Sequence, residues 1–168
     1  IKEIWPALKR RVSDARLTII GLNPPSDLIA LADSAGVRLV GNVPDLRPYY
    51  TRTQAVIVPV QTGSGIRVKI IEAWAAARPI VTTRIGAEGL PVVPNEHALF
   101  AEGAEGLAEA LARVLTDRAL AQQLANNGRA LVEREFSWEL LAKREERAFY
   151  SMYDIRGLER YSLCGSRK

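Results

Sequence analysis

The sequence feature that most constrains the fold is a series of short, almost purely apolar runs separated by helical patterns. Strands that are apolar at nearly every position, rather than at alternate positions, are typical of a parallel sheet buried on both faces. The order strand, helix, strand then predicts an α/β domain of three layers with a mostly parallel sheet. The predicted strands are residues 17–20, 37–40, 55–58, 80–82 and, as a short fifth, 97–101.

The segments between these strands carry apolar residues at helical spacing. Ser26, Asp45 and Ser137 are predicted N-caps, because their side-chain oxygens can accept hydrogen bonds from free backbone amides. Gly36 is predicted to follow a helix in the left-handed conformation. Helices are predicted to open the chain, and to cover about residues 26–35, 45–51, 66–77, 105–115, 118–133 and 138–153.

Composition excludes several functional classes. Among 168 residues there is one cysteine, Cys164, and one histidine, His97, which excludes an intramolecular disulfide and a His/Cys zinc site. The net charge of +4 comes from interspersed charges, and no basic run with interleaved aromatics indicates nucleic-acid binding. No apolar run reaches the roughly 18 residues of a membrane-spanning helix. The single cysteine fits a reducing compartment, so a cytoplasmic location is expected.

The single histidine and the three tryptophans could be read as functional residues, but a structural role explains each of them more simply. His97 adjoins a predicted core strand, so we expect it to be structural rather than catalytic. Trp5, Trp74 and Trp138 fall at helical core spacing and are predicted core anchors.

The stretch with the clearest chemical content is the loop and helix after the third strand, Thr62–Ala73 (TGSGIRVKIIEA). Gly63 and Gly65 allow the backbone to approach a ligand closely. The first amides of a helix opening near Ile66 have no internal partner and carry partial positive charge. Together these features favour an anionic group such as a diphosphate.

Helical phasing separates the charged side chains of this segment. At about 3.6 residues per turn, Lys69 and Glu72 share one face with Gly65, whereas Arg67 is expected to point away. Lys69 then places a cation near the phosphates, and Glu72, nearly two turns in, suits the paired hydroxyls of a ribose. The spacing equally allows Lys69 and Glu72 to be a surface ion pair.

Two other phosphate motifs fit less well. Gly63 and Gly65 begin a G-x-G-x-x-G pattern, but Val68 stands where the third glycine should be. Lys69 also lacks the spacing and the following Ser or Thr of a P-loop, so Mg-ATP binding is not expected.

Residues 63–90 (GSGIRVKIIEAWAAARPIVTTRIGAEGL) strongly resemble the donor-site region of glycosyltransferase family 4. The family pattern here is G-x-G-x-x-x-K-x-x-E-A, a small-residue helix, a Pro-Val-Val-like strand and G-x-E-G-L. The resemblance extends to LTIIG near residue 20, VRLVGNVPDL at 37–46, AVIVP at 55–59 and FSW at 136–138.

The resemblance implies a Rossmann-like domain, the C-terminal half of a two-domain GT-B fold. Residues 1–155 would form this nucleotide-sugar-binding domain without its first strand, and residues 156–168 a loosely attached tail. The acceptor-binding N-terminal domain, which carries the family's catalytic histidine, would be missing, so no catalytic residue is assigned here. The implied activity is retaining transfer of a sugar from a UDP-, GDP- or dTDP-sugar donor, without a metal or a separate cofactor.

The resemblance also assigns roles to particular residues. Glu72 matches the second acid of the family's E-x7-E motif, which binds the donor ribose. Residues Thr62, Gly63, Ser64, Gly65, Ile66 and Lys69 match the segment that wraps the diphosphate and sugar. Val43, Pro44 and Leu46 match the loop on which the base rests, and Tyr49 and Tyr50, close behind it, are further candidates for a ligand contact.

One departure from the family keeps alternatives open. Ser64 stands where the first acid of E-x7-E is expected, and a hydroxyl cannot replace a carboxylate electrostatically. A GT-B-fold sugar-nucleotide epimerase and a non-catalytic nucleotide-binding module are therefore retained as alternatives. The basic net charge also allows a peripheral contact of the full-length protein with the cytoplasmic face of a membrane.

Overall fold

The computed structural model describes residues 2–152 and confirms the alternation of strands and helices. The strands are β1 (Thr18–Ile20), β2 (Arg38–Val40), β3 (Val56–Val58), β4 (Ile80–Thr82) and β5 (Leu99–Phe100). The helices are α1 (Ile4–Arg11), α2 (Ser26–Ser34), α3 (Arg47–Arg52), α4 (Val68–Ala75), α5 (Gly103–Thr116), α6 (Arg118–Glu135) and α7 (Trp138–Met152). A 3-10 turn, Ile85–Ala87, follows β4. The chain divides into two compact units, Ile1–Val132 and Glu133–Lys168.

Every strand pairing in the described chain is parallel, as predicted, but the hydrogen bonds form two sheets rather than one. β1 pairs with β2, and β4 pairs with both β3 and β5 in the order β3-β4-β5. Each strand is two or three residues long, so its ladder offers few hydrogen bonds. Within residues 2–152 no ladder joins the two sheets.

Helices cover both faces of the central strand β4. Val81 is fully buried in an apolar cluster that includes residues of α1 and α5. Ile80 and Thr82, which point to the opposite face because strand side chains alternate, are also fully buried. Both α4 and α5 contact β4, and the α1–α5 cluster contains no residue of α4. The predicted three-layer arrangement is therefore present at this strand.

Trp5 and Trp74 are core anchors, as predicted. Trp5 is 6% exposed, and its Nε1 donates a hydrogen bond to the Ala35 carbonyl oxygen at 2.9 Å. Trp74 is completely buried, and its Nε1 donates to the His97 carbonyl oxygen at 2.9 Å. Gly128 of α6 lies directly against the Trp74 indole, because a Cβ placed there would be 2.1 Å from the indole Cδ1.

The predicted helix caps have mixed outcomes. Gly36 has the expected left-handed conformation, with φ of +63°. Ser26 is not an N-cap but the first residue of α2, because Pro25 takes the capping position and its carbonyl oxygen accepts the Leu28 and Ile29 amides. Asp45 is not the N-cap of α3 as predicted, because Leu46 takes that position, but the Asp45 Oδ1 still accepts a hydrogen bond from the Arg47 amide at 2.9 Å.

The second unit contains the end of α6 and helix α7. Ser137 caps α7 as predicted, since its Oγ accepts the Leu140 amide at 3.3 Å. Trp138 is 86% exposed, so its predicted role as a core anchor is wrong; it is the first residue of α7 and its side chain packs into no core. Phe149 and Tyr150 form an exposed edge-to-face pair.

The predicted end of the last helix at residue 153 and the predicted tail at 156–168 lie outside the described residues. Among the helices of the described chain, none combines the length and the apolarity that crossing a membrane requires.

Candidate functional site

The loop between β3 and α4 has the backbone conformation that its glycines were predicted to allow. Gly63 and Gly65 both lie in the left-handed region, with φ of +113° and +88°. A residue with a side chain would be strained at either position. A Cβ at Gly65 would meet no atom within 4 Å, so the loop is open on that side. Residues Thr62, Gly63, Ser64, Gly65 and Ile66 are all exposed.

Helix α4 begins two residues later than predicted. Its first residue is Val68 rather than Ile66, and Arg67 takes the capping position. Lys69 therefore lies in the first turn. Counted from the first residue of the helix, Glu72 lies about one turn along instead of nearly two. Both changes bring the charged side chains closer to the mouth of the helix than the sequence suggested.

The two sides of α4 separate as the phasing predicted. Ile70, Ala73 and Trp74 are fully buried, whereas Lys69 and Glu72 are exposed on the other side. Within residues 2–152, Lys69 and Glu72 do not form the surface ion pair that their spacing allowed. Both charges are therefore available on an open face next to the glycine loop.

Arg67 occupies the glycine loop itself, which corrects the expectation that it points away. Its Nη1 donates a hydrogen bond to the Ser64 carbonyl oxygen at 2.7 Å, and its Nη2 lies 3.1 Å from where a Gly63 Cβ would be. The phasing failed because Arg67, with φ of −88° and ψ of 88°, is not helical. Its Nε is buried without a hydrogen-bond partner, so the guanidinium is only partly satisfied.

A hydrogen bond connects α3 to the open face of α4. The hydroxyl of Tyr50 donates to Glu72 Oε2 at 3.1 Å and lies 3.5 Å from the Lys69 carbonyl oxygen. The pKa of Tyr50 is raised to about 12, mainly by burial and in addition by the charge of the neighbouring Glu72 carboxylate and the hydrogen bond to it. Tyr50 is therefore a neutral hydrogen-bond donor at neutral pH.

The predicted base-binding loop lies just before α3. Val43 and Leu46 are half-buried and Pro44 is exposed. Within the loop, Asp45 holds the side chain of Arg47 at 3.0 Å, and this hydrogen bond lowers the pKa of Asp45. Because α3 directly follows the loop, Tyr50 is the residue that links this segment to Glu72.

Two threonine hydroxyls join the loops at the carboxyl ends of β3 and β4. Thr82 Oγ1 donates to the Val58 carbonyl oxygen at 3.0 Å, and Thr83 Oγ1 donates to the carbonyl of Val60. Thr83 Oγ1 also accepts the Gly86 amide at 2.9 Å. These buried and partly buried hydrogen bonds connect the ends of β3 and β4 to each other and to the 3-10 turn that follows β4.

His97 lies in the core, as the structural interpretation predicted. It is 5% exposed, and its Nδ1 accepts a hydrogen bond from the Val93 amide at 3.0 Å. Within residues 2–152, no group of three or more His, Cys, Asp or Glu side chains is placed to hold a metal ion.

The geometry brings together most of the predicted site. An open glycine loop, the first turn of α4, a lysine and a carboxylate adjoin one another at the end of β3, where parallel α/β sheets bind ligands. Sequence reasoning underestimated Tyr50 and misplaced Arg67. The alternation of strands and helices in the sequence does not predict a contact between α3 and α4, because that contact depends on how the two helices pack.

Parallel strands covered by helices, with open loops at their carboxyl ends, define a Rossmann-like α/β domain. The family model described as "Glycosyl transferases group 1" matches residues 1–117. The chain belongs to this family.

The chain is also similar to a curated relative and to two solved structures. It is 29% identical over 154 residues to the GDP-mannose-dependent alpha-(1-6)-phosphatidylinositol monomannoside mannosyltransferase of Mycobacterium tuberculosis, a match that covers 83% of this chain. The chain spans 40% of the length of that relative.

Both structures share the fold closely. Sucrose-phosphate synthase from Thermosynechococcus elongatus matches with a TM-score of 0.72 and 26% identity, over 89% of this chain and 42% of its own. Anabaena Alr3699/HepE, solved in complex with UDP, matches with a TM-score of 0.78 and 16% identity, over 88% of this chain and 44% of its own. The likeness confirms the Rossmann-like fold and its relation to GT-B enzymes.

Proposed function

We propose that this chain binds the nucleotide-diphosphate-sugar donor of a glycosyl transfer that retains configuration and uses neither a metal nor a separate cofactor. The observation that carries the proposal is the open face of α4. It presents Lys69 in the first turn and Glu72 about one turn further on, beside an exposed loop of left-handed glycines.

The diphosphate is proposed to bind where the glycine loop meets α4. The first amides of a helix have no internal acceptors and carry partial positive charge, which favours an anion. Lys69 adds a full positive charge in the same turn. Residues 62–66 are exposed and would wrap the diphosphate and the sugar, with Ser64 as a neutral hydrogen-bonding group.

Glu72 is proposed to bind the ribose. An ionised carboxylate accepts hydrogen bonds on two oxygens, which matches two neighbouring hydroxyls. The base would rest on the loop of Val43, Pro44 and Leu46, which leads into α3 and so toward Glu72 through Tyr50. The relatives support a nucleotide donor, since one is GDP-mannose-dependent and another was solved with UDP.

Isothermal titration calorimetry of the chain with UDP, GDP, dTDP and their sugar conjugates tests the proposal. Glu72→Ala should weaken binding of the preferred ribonucleotide about tenfold or more, because hydrogen bonds to a charged group contribute about 1.5–3 kcal/mol each. The loss should be smaller for dTDP, which lacks the 2′-hydroxyl. A chelator should leave the affinities unchanged.

Glu109→Ala is the matched control. Glu109 is an exposed glutamate on α5, so its removal changes the net charge equally without touching the open face of α4. If Glu72→Ala binds every nucleotide as tightly as Glu109→Ala does, the proposed site is wrong.

A further inference from the structure

The Glu72 carboxylate has a partner that the sequence did not assign to it. The Tyr50 hydroxyl donates to Glu72 Oε2 at 3.1 Å across a separation of 22 residues. Glu72 is exposed, and an exposed glutamate with three free torsions would otherwise sample many orientations. The hydrogen bond selects one of them before any ligand arrives.

The contact leaves the carboxylate able to bind a ligand. A carboxylate offers about four lone-pair sites on its two oxygens, and Tyr50 uses one of them on Oε2. Oε1 stays free for one hydroxyl, and the remaining site on Oε2 is free for a second. A group oriented in this way binds more tightly than a mobile one, because less conformational freedom is lost on binding.

Tyr50 is also held firmly enough to act as a support. Its ring is half-buried beside α4, and its hydroxyl approaches the Lys69 carbonyl oxygen at 3.5 Å. Its raised pKa keeps the phenol protonated, so it donates to the carboxylate and does not repel it.

We propose that Tyr50 is a positioning residue that holds the Glu72 carboxylate ready for the paired hydroxyls of a ribose, and thereby favours ribonucleotide over deoxyribonucleotide ligands. This inference rests on the proposed function, in which Glu72 binds the ribose. It adds that the preference for ribose depends on a residue of α3 that makes no contact with the sugar.

The test compares UDP and GDP with their 2′,3′-dideoxy counterparts by titration calorimetry. Tyr50→Phe removes the hydroxyl and keeps the ring. We expect it to weaken ribonucleotide binding about three- to tenfold, the effect of one hydrogen bond, and to leave dideoxynucleotide binding unchanged. Tyr150→Phe is the matched control, because Tyr150 is an exposed tyrosine of α7 that belongs to no part of the proposed site.

A merely structural role for Tyr50 predicts a different result. If Tyr50→Phe weakens both nucleotide classes equally, or neither, the inference is overturned. In a Glu72→Ala background Tyr50→Phe should have no further effect on the ratio of ribonucleotide to dideoxynucleotide affinity, because the group it positions is gone.

The same titrations distinguish a failure of the proposed function from a failure of the positioning role of Tyr50. If Glu72→Ala lowers the preference for ribose and Tyr50→Phe does not, the proposed function stands and the role of Tyr50 is refuted. If Glu72→Ala leaves that preference unchanged, or if neither nucleotide class binds, both are refuted.

Discussion

The contact between Gly128 and Trp74 leads to a prediction that runs against ordinary helix propensity. Gly128 lies within α6, where alanine should be the better residue. A Cβ at this position would lie 2.1, 2.5 and 2.7 Å from the indole Cδ1, Nε1 and Cγ of Trp74. Carbon atoms in van der Waals contact are about 3.5–4.0 Å apart, so the overlap exceeds what a small adjustment can relieve.

The magnitude follows from two opposing effects. Trp74 is 0% exposed and its Nε1 is tied to the His97 carbonyl, so the indole cannot move aside without breaking a buried hydrogen bond. Overpacking of this kind costs about 1–3 kcal/mol, and we expect the upper part of that range. Alanine regains about 1 kcal/mol of helix propensity. Gly128→Ala should therefore lower the free energy of unfolding by about 2 kcal/mol, and Tm by about 4–8 °C.

Chemical and thermal unfolding of the variants measures this effect. Gly106→Ala is the matched control, because Gly106 is also helical but a Cβ there would meet only the Ala101 Cβ at an ordinary 3.7 Å. It should raise the free energy of unfolding by up to about 1 kcal/mol. Trp74→Phe should partly relieve the clash, so that its cost in a Gly128→Ala background is lower than in the wild type. A Gly128→Ala chain as stable as the wild type would refute the reasoning.

Two further predictions concern the hydroxyls near the site. Thr82→Val keeps the shape of a fully buried side chain but removes its hydrogen bond to the Val58 carbonyl, so we expect a loss of about 1–2 kcal/mol in unfolding by urea, and an unchanged stability would contradict the role given to this bond. Because burial and the Glu72 carboxylate together raise the pKa of Tyr50 from 10.0 to about 12, folding favours the protonated phenol. Its contribution to stability is full below pH 10.0 and is lost as the pH rises through about 12. The difference in the free energy of unfolding between wild type and Tyr50→Phe should shrink between pH 10.0 and about 12. A difference that stays constant over this pH range would contradict the raised pKa of Tyr50.

Strand β4 could be predicted because its burial leaves a direct mark on the sequence. Ile80–Thr82 is apolar or small at every position and is buried at every position, which is what a strand covered on both faces requires. The glycines at 63 and 65 were equally informative, since both adopt a backbone conformation that favours glycine. The way the strands divide into two hydrogen-bonded sheets could not be read, because pairing between distant segments leaves no local pattern.

The sequence predicted part of the geometry of the candidate site, and the errors of that prediction have a common cause. Phasing assumed that α4 begins at Ile66, and the later start at Val68 released Arg67 from the helix and allowed it to fold onto the loop. Spacing along one helix could suggest that Lys69 and Glu72 face the same way. It could not show that Tyr50 of another helix reaches Glu72, because that contact depends on tertiary packing.

The sharp division of α4 into a buried and an open side has a consequence for how such a domain can change over time. Ile70, Ala73 and Trp74 are committed to the interior, while Lys69 and Glu72 contribute almost nothing to it. Replacements on the open side can therefore change the proposed donor-binding surface without threatening the integrity of the domain. One surface of this helix can vary in sequence while the other stays fixed.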